Sequence, residues 1–156
     1  MNKGFTLIET IIYIALFTLL ITSGFVSVYQ LISGTDSLNT KIRIQKEGNF
    51  VLRKISWTLT GLNPLNPPTV SGYGCYQTLT SHKTDQLNPI RIRMSSIGGK
   101  NYVEIQDDGI NYYPITTINA STTCLKFGVI SGTPSGIVST TTINGIDFVI
   151  TKYVRS

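Results

Sequence analysis

Apolar residues dominate the chain from Phe5 to Ile32, and Glu9 is the only charge in that stretch. About 20 apolar residues suffice to cross a bilayer, so the run reads as a membrane helix. A cleaved secretory signal would carry several positive charges ahead of a shorter apolar core. Here only Lys3 precedes the run. Burying such a helix inside a globular protein would take more surrounding chain than 156 residues supply.

Composition narrows the function classes. Hydrophobic residues make up 41% of the chain and charged ones 13%, against about 25% charged in ordinary soluble domains, which excludes a disordered or supercharged chain. All six prolines lie beyond residue 60, so a Gly/Pro-poor first third precedes a Gly/Pro-rich remainder. One histidine, two cysteines and eight acidic residues leave little material for a metal cluster or a multi-residue catalytic site. No metal and no cofactor are expected, and an enzyme is the less favoured class.

Glu9 is the informative exception. A carboxylate inside the hydrocarbon region costs roughly 2.5 to 3.5 kcal/mol on insertion scales and marks a functional position unless it sits at the membrane edge. Its context is Gly4-Phe5-Thr6-Leu7-Ile8-Glu9, behind a short leader with Lys3 and ahead of the apolar run. This resembles the N-terminus of a type IV prepilin or type II secretion pseudopilin. The resemblance implies cleavage between Gly4 and Phe5 by a membrane prepilin peptidase and N-methylation of Phe5. It further implies assembly with other pilin or pseudopilin subunits on an inner-membrane platform. Glu9 lies one helical turn beyond the new amine, so a neighbour displaced along a fibre axis would set its Phe5 ammonium against Glu9. Such a pair fixes register, because losing one member leaves an uncompensated buried charge. A glutamate here argues against the tip subunit, which in the family usually lacks it.

Ser23-Gly24 and Gly34 are points where the helix is expected to bend or to pack closely, since mid-helix glycine costs about 1 kcal/mol relative to alanine. The proline that many family members carry in this region is missing. Beyond Gly34, the residues Leu38, Ile42, Gln45, Asn49, Leu52, Ile55, Leu59 and Leu62 recur every three or four positions, with Lys41, Arg43, Lys46, Glu47, Arg53 and Lys54 between them. This predicts an amphipathic continuation, so one helix from Phe5 to about Thr60 would span roughly 80 Å. The segment Phe50 to Leu59 is similar to the helix end of the J-type minor pseudopilins. The stripe from Leu38 to Leu62 should lie against a sheet.

The remainder reads as that sheet, giving an α+β fold with a long helix on an antiparallel sheet. Ile90 to Met94 and Val103 to Ile105 alternate around Gly98-Gly99, a hairpin with Arg93 or Arg91 opposite Glu104. Ile137 to Ile143 and Ile146 to Val154 flank Asn144-Gly145, a pair that accepts the positive φ angles of a two-residue turn. Thr123 to Ile130 is a further strand. Asn63 to Gly74, with Pro64, Pro67 and Pro68, is expected to be an irregular loop. The domain division is leader 1–4, membrane and assembly helix 5–34, amphipathic half 35–62, and exported β-rich domain 63–156.

Cys75 and Cys124 would lie outside the cytoplasm if Lys3 marks the cytoplasmic end. A disulfide is expected on compartment alone, with two buried thiols as the alternative. The basic residues from Lys41 to Lys54 run against a simple positive-inside count, and the family resemblance carries the orientation instead. Gln106-Asp107-Asp108-Gly109 has oxygen ligands for calcium but not the spacing of an EF-hand, so an Asp-Gly turn is the favoured reading. His82 with Asp85 lacks any nucleophile pattern. The sequon Asn119-Ala120-Ser121 is short and common. A net charge of +5 permits attraction to DNA, for which Arg91 and Arg93 are the first candidates, although the basic residues are spread rather than clustered.

The sequence therefore predicts a minor pilin or pseudopilin held in the lipid bilayer of the cytoplasmic membrane, its C-terminal domain outside. Secretion pseudopilus, type IV pilus and competence filament are all compatible. The alternatives are an anchored β-domain that binds or adheres without polymerising and, last, a hydrolase around His82.

Overall fold

The computed structural model describes residues 6–117, 120–132 and 134–153. A single helix, α1 (Leu7–Thr58), is followed by strands β1 (Thr69–Tyr73), β2 (Tyr76–Ser81), β3 (Ile90–Ile97), β4 (Lys100–Gln106), β5 (Tyr113–Pro114), β6 (Thr122–Ile130), β7 (Gly136–Ile143) and β8 (Ile146–Tyr153). This is the α+β layout read from the sequence. The chain divides into two compact units, with Ile42 the last residue of the first and Arg43 the first of the second.

In the first unit α1 turns almost every large apolar side chain outward, from Leu7 and Ile8 to Leu31 and Ile32. Its hydroxyls are satisfied within the helix: Thr18 Oγ1 donates to the Ala15 carbonyl, Thr22 to Thr18, Ser23 to Leu20 and Ser27 to Ser23. These internal bonds let threonine and serine sit in an apolar medium without an open donor. Nothing lies within 4 Å of a Cβ built on Gly24 or Gly34.

In the second unit eight strands form one sheet in the order β5-β4-β3-β2-β6-β7-β8, with β1 attached to β2. Neighbours are antiparallel except β2 and β6, which run parallel where Tyr76 meets Leu125. The β3–β4 hairpin has Arg93 opposite Glu104, as expected. In the β7–β8 turn Asn144 and Gly145 adopt φ of 49° and 77°, the positive angles expected of that pair. Strand alternation sends Ile90, Ile92 and Met94 into the core while Arg91 and Arg93 point away from it.

The helix contributes Ile44, Gly48, Val51, Ile55 and Thr58 to that core, and Leu59 follows them. This corrects the stripe expected from Leu38 to Leu62. Leu38 and Ile42 are exposed in the first unit, Gln45 and Asn49 are exposed in the second, and only Ile55 and Leu59 of the series are buried. The deciding contact is one that composition hides. A Cβ on Gly48 would come within 2.3 Å of the Phe148 ring, so the ring takes the space beside the bare backbone.

A second correction concerns residues 63–74. The loop is real only to Pro68, since Thr69–Tyr73 pairs residue for residue with β2. The prolines stop short of this strand, and its pairing comes from the partner rather than from any strong alternation of its own. The loop itself is tied down. Leu62 bridges Lys83, Asn63 N–H donates to the His82 carbonyl at 2.8 Å, and Thr84 N–H donates to the Gly61 carbonyl at 3.2 Å. Ser81 Oγ donates to the Thr58 carbonyl, satisfying an acceptor at the buried end of α1.

Cys75 and Cys124 are bonded, with Cα atoms 4.4 Å apart. The bridge links the turn between β1 and β2 to β6, beside the single parallel contact. Leu125 N–H donates to the Cys75 carbonyl at 3.0 Å, so backbone and sulfur hold the same junction.

Candidate functional site

The start of α1 is built by Thr6. Its carbonyl accepts from the Glu9 N–H at 3.1 Å and from the Thr10 N–H at 3.3 Å, and the Thr10 hydroxyl also reaches it. Glu9 therefore occupies the first turn, where the positive end of the helix dipole favours a carboxylate. It is half-buried among exposed Leu7, Ile8, Ile11 and Ile12. The arrangement offers one negative charge near the start of an apolar rod. Gly4 and Phe5, the expected cleavage and methylation positions, lie outside the described residues.

A family model described as the prokaryotic N-terminal methylation motif matches residues 1–25. The N-terminal segment thus carries the methylation motif of type IV prepilins and pseudopilins. No curated protein and no solved structure matches the chain. For a prepilin-type chain, the motif implies contact with prepilin peptidase and with other pilin subunits. Motif and apolar helix together fit a membrane-anchored pilin, and the motif points to a structural protein. The long apolar surface of α1 is of the kind that meets lipid or neighbouring helices.

The other candidate residues are engaged within the chain's own fold. The Arg93 guanidinium lies 3.5 Å from the Tyr112 ring centroid and 3.3 Å from a Glu104 carboxylate oxygen. Arg91 donates to the Gln106 side chain at 3.2 Å. Each of the two arginines expected first at a DNA surface thus directs one N–H to a side chain of β4. Asp108 Oδ1 accepts the N–H groups of Ile110 and Asn111, both at 2.8 Å, and its other oxygen accepts from Asn111 and Tyr113. These backbone donors hold its carboxyl below 3.8 and make it an Asp-Gly turn. Among the described residues no group of three histidine, cysteine or acidic side chains is placed to hold a metal. His82 is half-buried in the loop after β2, its carbonyl engaged by Asn63. Of the sequon, Asn119 lies outside the described residues.

Two features went unread in the sequence. Glu47 accepts the Thr117 N–H at 3.0 Å and also the Thr117 hydroxyl, closing the loop after β5 onto α1. Lys83 is buried, with its ammonium 3.6 Å from the Trp57 ring centroid. Burial pulls its pKa below 10.5, and Asp85 partly opposes that shift. Neither has a local signal, since each joins residues far apart in the chain. A third was visible as spacing: Arg43, Lys46, Phe50, Arg53 and Trp57 follow one another at intervals of three and four on one side of α1.

Proposed function

We propose that the chain is a minor pilin or pseudopilin, a structural subunit of a type IV pilus-like or type II secretion filament. The observation that carries this reading is the methylation motif on residues 1–25 running into a helix whose large apolar side chains are exposed. Prepilin peptidase cuts after Gly4, and Phe5 becomes the methylated N-terminus. The helix then leaves the bilayer to pack with other subunits above the inner-membrane platform. Glu9 receives the Phe5 ammonium of a neighbouring subunit and sets the axial register. The β-domain lies outside the cytoplasm, where the Cys75–Cys124 bridge is stable. Similarity of Phe50 to Leu59 to the J-type helix end supports a minor subunit. Catalysis has no part in this reading, and DNA has none, since Arg91 and Arg93 are engaged within the sheet.

Intact and N-terminal peptide mass spectrometry of protein from its native membrane tests the processing step. A methylated Phe5 terminus that vanishes without the host prepilin peptidase is expected. An intact leader in both strains would reject it in favour of an anchored module that does not polymerise. Glu9→Leu should leave the protein in the membrane and abolish its incorporation into filaments, so normal incorporation would remove the register role.

A further inference from the structure

The second unit carries a groove of 540 Å³ between α1 and the loop after β5. Its floor is apolar. Phe50 is 42% exposed, and Ile115 rests on the core beneath. Its rim is cationic, with Arg43, Lys46 and Arg53 exposed along one side. The one carboxylate in the wall, Glu47, is held by the N–H and hydroxyl of Thr117 and turned into a structural clamp. With Trp57 these residues form a seam at three- and four-residue spacing, roughly 21 Å long at 1.5 Å per residue. Of the chain's eight acidic residues, Glu47 alone lies in this seam's groove, so the surface is left strongly positive around an apolar floor.

We infer that this groove is a docking site for an acidic segment of a partner protein, one that places an apolar side chain on Phe50 and Ile115 and carboxylates against Arg43, Lys46 and Arg53. Charge complementarity selects the class of occupant. A nucleic acid would need several open aromatic faces for successive bases, yet Lys83 covers Trp57 at 3.6 Å, which leaves Phe50 as a single ring. A lipid would need an apolar track as long as an acyl chain, and the floor is one ring and one isoleucine. A peptide with separated carboxylates around one apolar anchor matches both the cationic rim and the apolar floor of the groove. The inference concerns the β-domain surface and stands apart from how the N-terminal helix is used.

The test uses the full chain in its native membrane, with the photoreactive residue p-benzoylphenylalanine at position 115 in place of Ile115. Irradiation should give an adduct to a peptide of net negative charge bearing a large apolar side chain. Its yield should fall about tenfold in the Arg43→Gln, Lys46→Gln, Arg53→Gln triple variant, with the Trp57 fluorescence melt unchanged. If the triple variant melts early, Lys46→Gln and Arg53→Gln are read singly, each expected to lower the yield about threefold. Replacing two carboxylates of the captured segment with lysine should abolish the adduct, and Arg43→Glu with Lys46→Glu in this chain should restore it. An adduct to a neutral or basic peptide, to lipid or to nucleic acid would overturn the inference. So would no adduct, an acidic adduct indifferent to the variants, or a charge swap that restores nothing. Leader processing is unaffected in every arm, so failure here is separable from failure of the pilin reading.

Discussion

Leu20 and Ile55 are large aliphatic residues on the same helix, yet Leu20 is 67% exposed and Ile55 fully buried. Helix propensity does not separate them. What differs is the material available to cover them: from Arg43 onward the chain supplies a sheet, and before that it supplies none. The earlier segment has saved its apolar surface for another solvent or another molecule, which is what lipid and packed helices provide. The later segment has spent its apolar surface on its own domain and faces outward with charge. One helix thus does two kinds of work, and the change falls where its surroundings change.

That contrast can be pressed by mutation, with unfolding of the β-domain followed at Trp57, the only tryptophan. The largest expected effect is loss of the disulfide. A bridge across 49 residues contributes about 4 kcal/mol in the chain-entropy model, so Cys75→Ser with Cys124→Ser should lower domain stability by that order and leave membrane insertion intact. Next comes the matched pair named above. Ile55→Ala should cost about 3 kcal/mol through lost burial and a cavity, whereas Leu20→Ala should move the domain's denaturant midpoint by less than about 0.5 kcal/mol. Equal costs would break the division between the two parts of α1.

Gly48 sharpens the comparison further. An alanine in a solvated helix gains about 1 kcal/mol over glycine, but here its Cβ meets the Phe148 ring, so Gly48→Ala should destabilise by about that amount. In a Phe148→Ala background the same substitution should become stabilising, and a cycle without this change of sign would refute the contact. At Gly24 nothing stands in the way, and alanine should strengthen the helix in either background.

The smallest effect is electrostatic. Backbone donors hold the Asp108 carboxyl below 3.8 in the folded protein, so the folded form binds its proton later than the unfolded chain as pH falls. The stability it contributes is present above pH 3.8 and is lost as pH drops through the folded value. Asp108→Ala should flatten that part of the acid limb, and an unchanged limb would mean that other carboxyls control it.

Much of this was legible in the sequence. The apolar run, the methylation motif, the β3–β4 hairpin with Arg93 against Glu104 and the Asn144-Gly145 turn are local patterns, each readable within a dozen or so residues. The buried face of α1 was not. A helix with residues every three or four positions offers several parallel stripes, and the buried one runs through Ile44, Gly48 and Val51 rather than Leu38 and Ile42. Nothing about a glycine announces that a phenylalanine a hundred residues later will lie on it. The strand Thr69–Tyr73 was likewise lost behind prolines, because its partner, not its composition, makes it a strand.

The sequence by itself determined that a long apolar helix precedes a β-rich domain, and that its start carries the prepilin signature. These follow from chain-local chemistry: transfer of side chains from water, the hand of two turn residues, a carboxylate one turn from the expected cleavage position. Only the tertiary structure decided which helical face is buried, which arginines are engaged and where a positive groove is left open. Those outcomes depend on pairs far apart in the chain, such as Gly48 with Phe148 and Glu47 with Thr117. Such pairs are chosen by the packing of the whole domain, because close-packed interiors admit few arrangements.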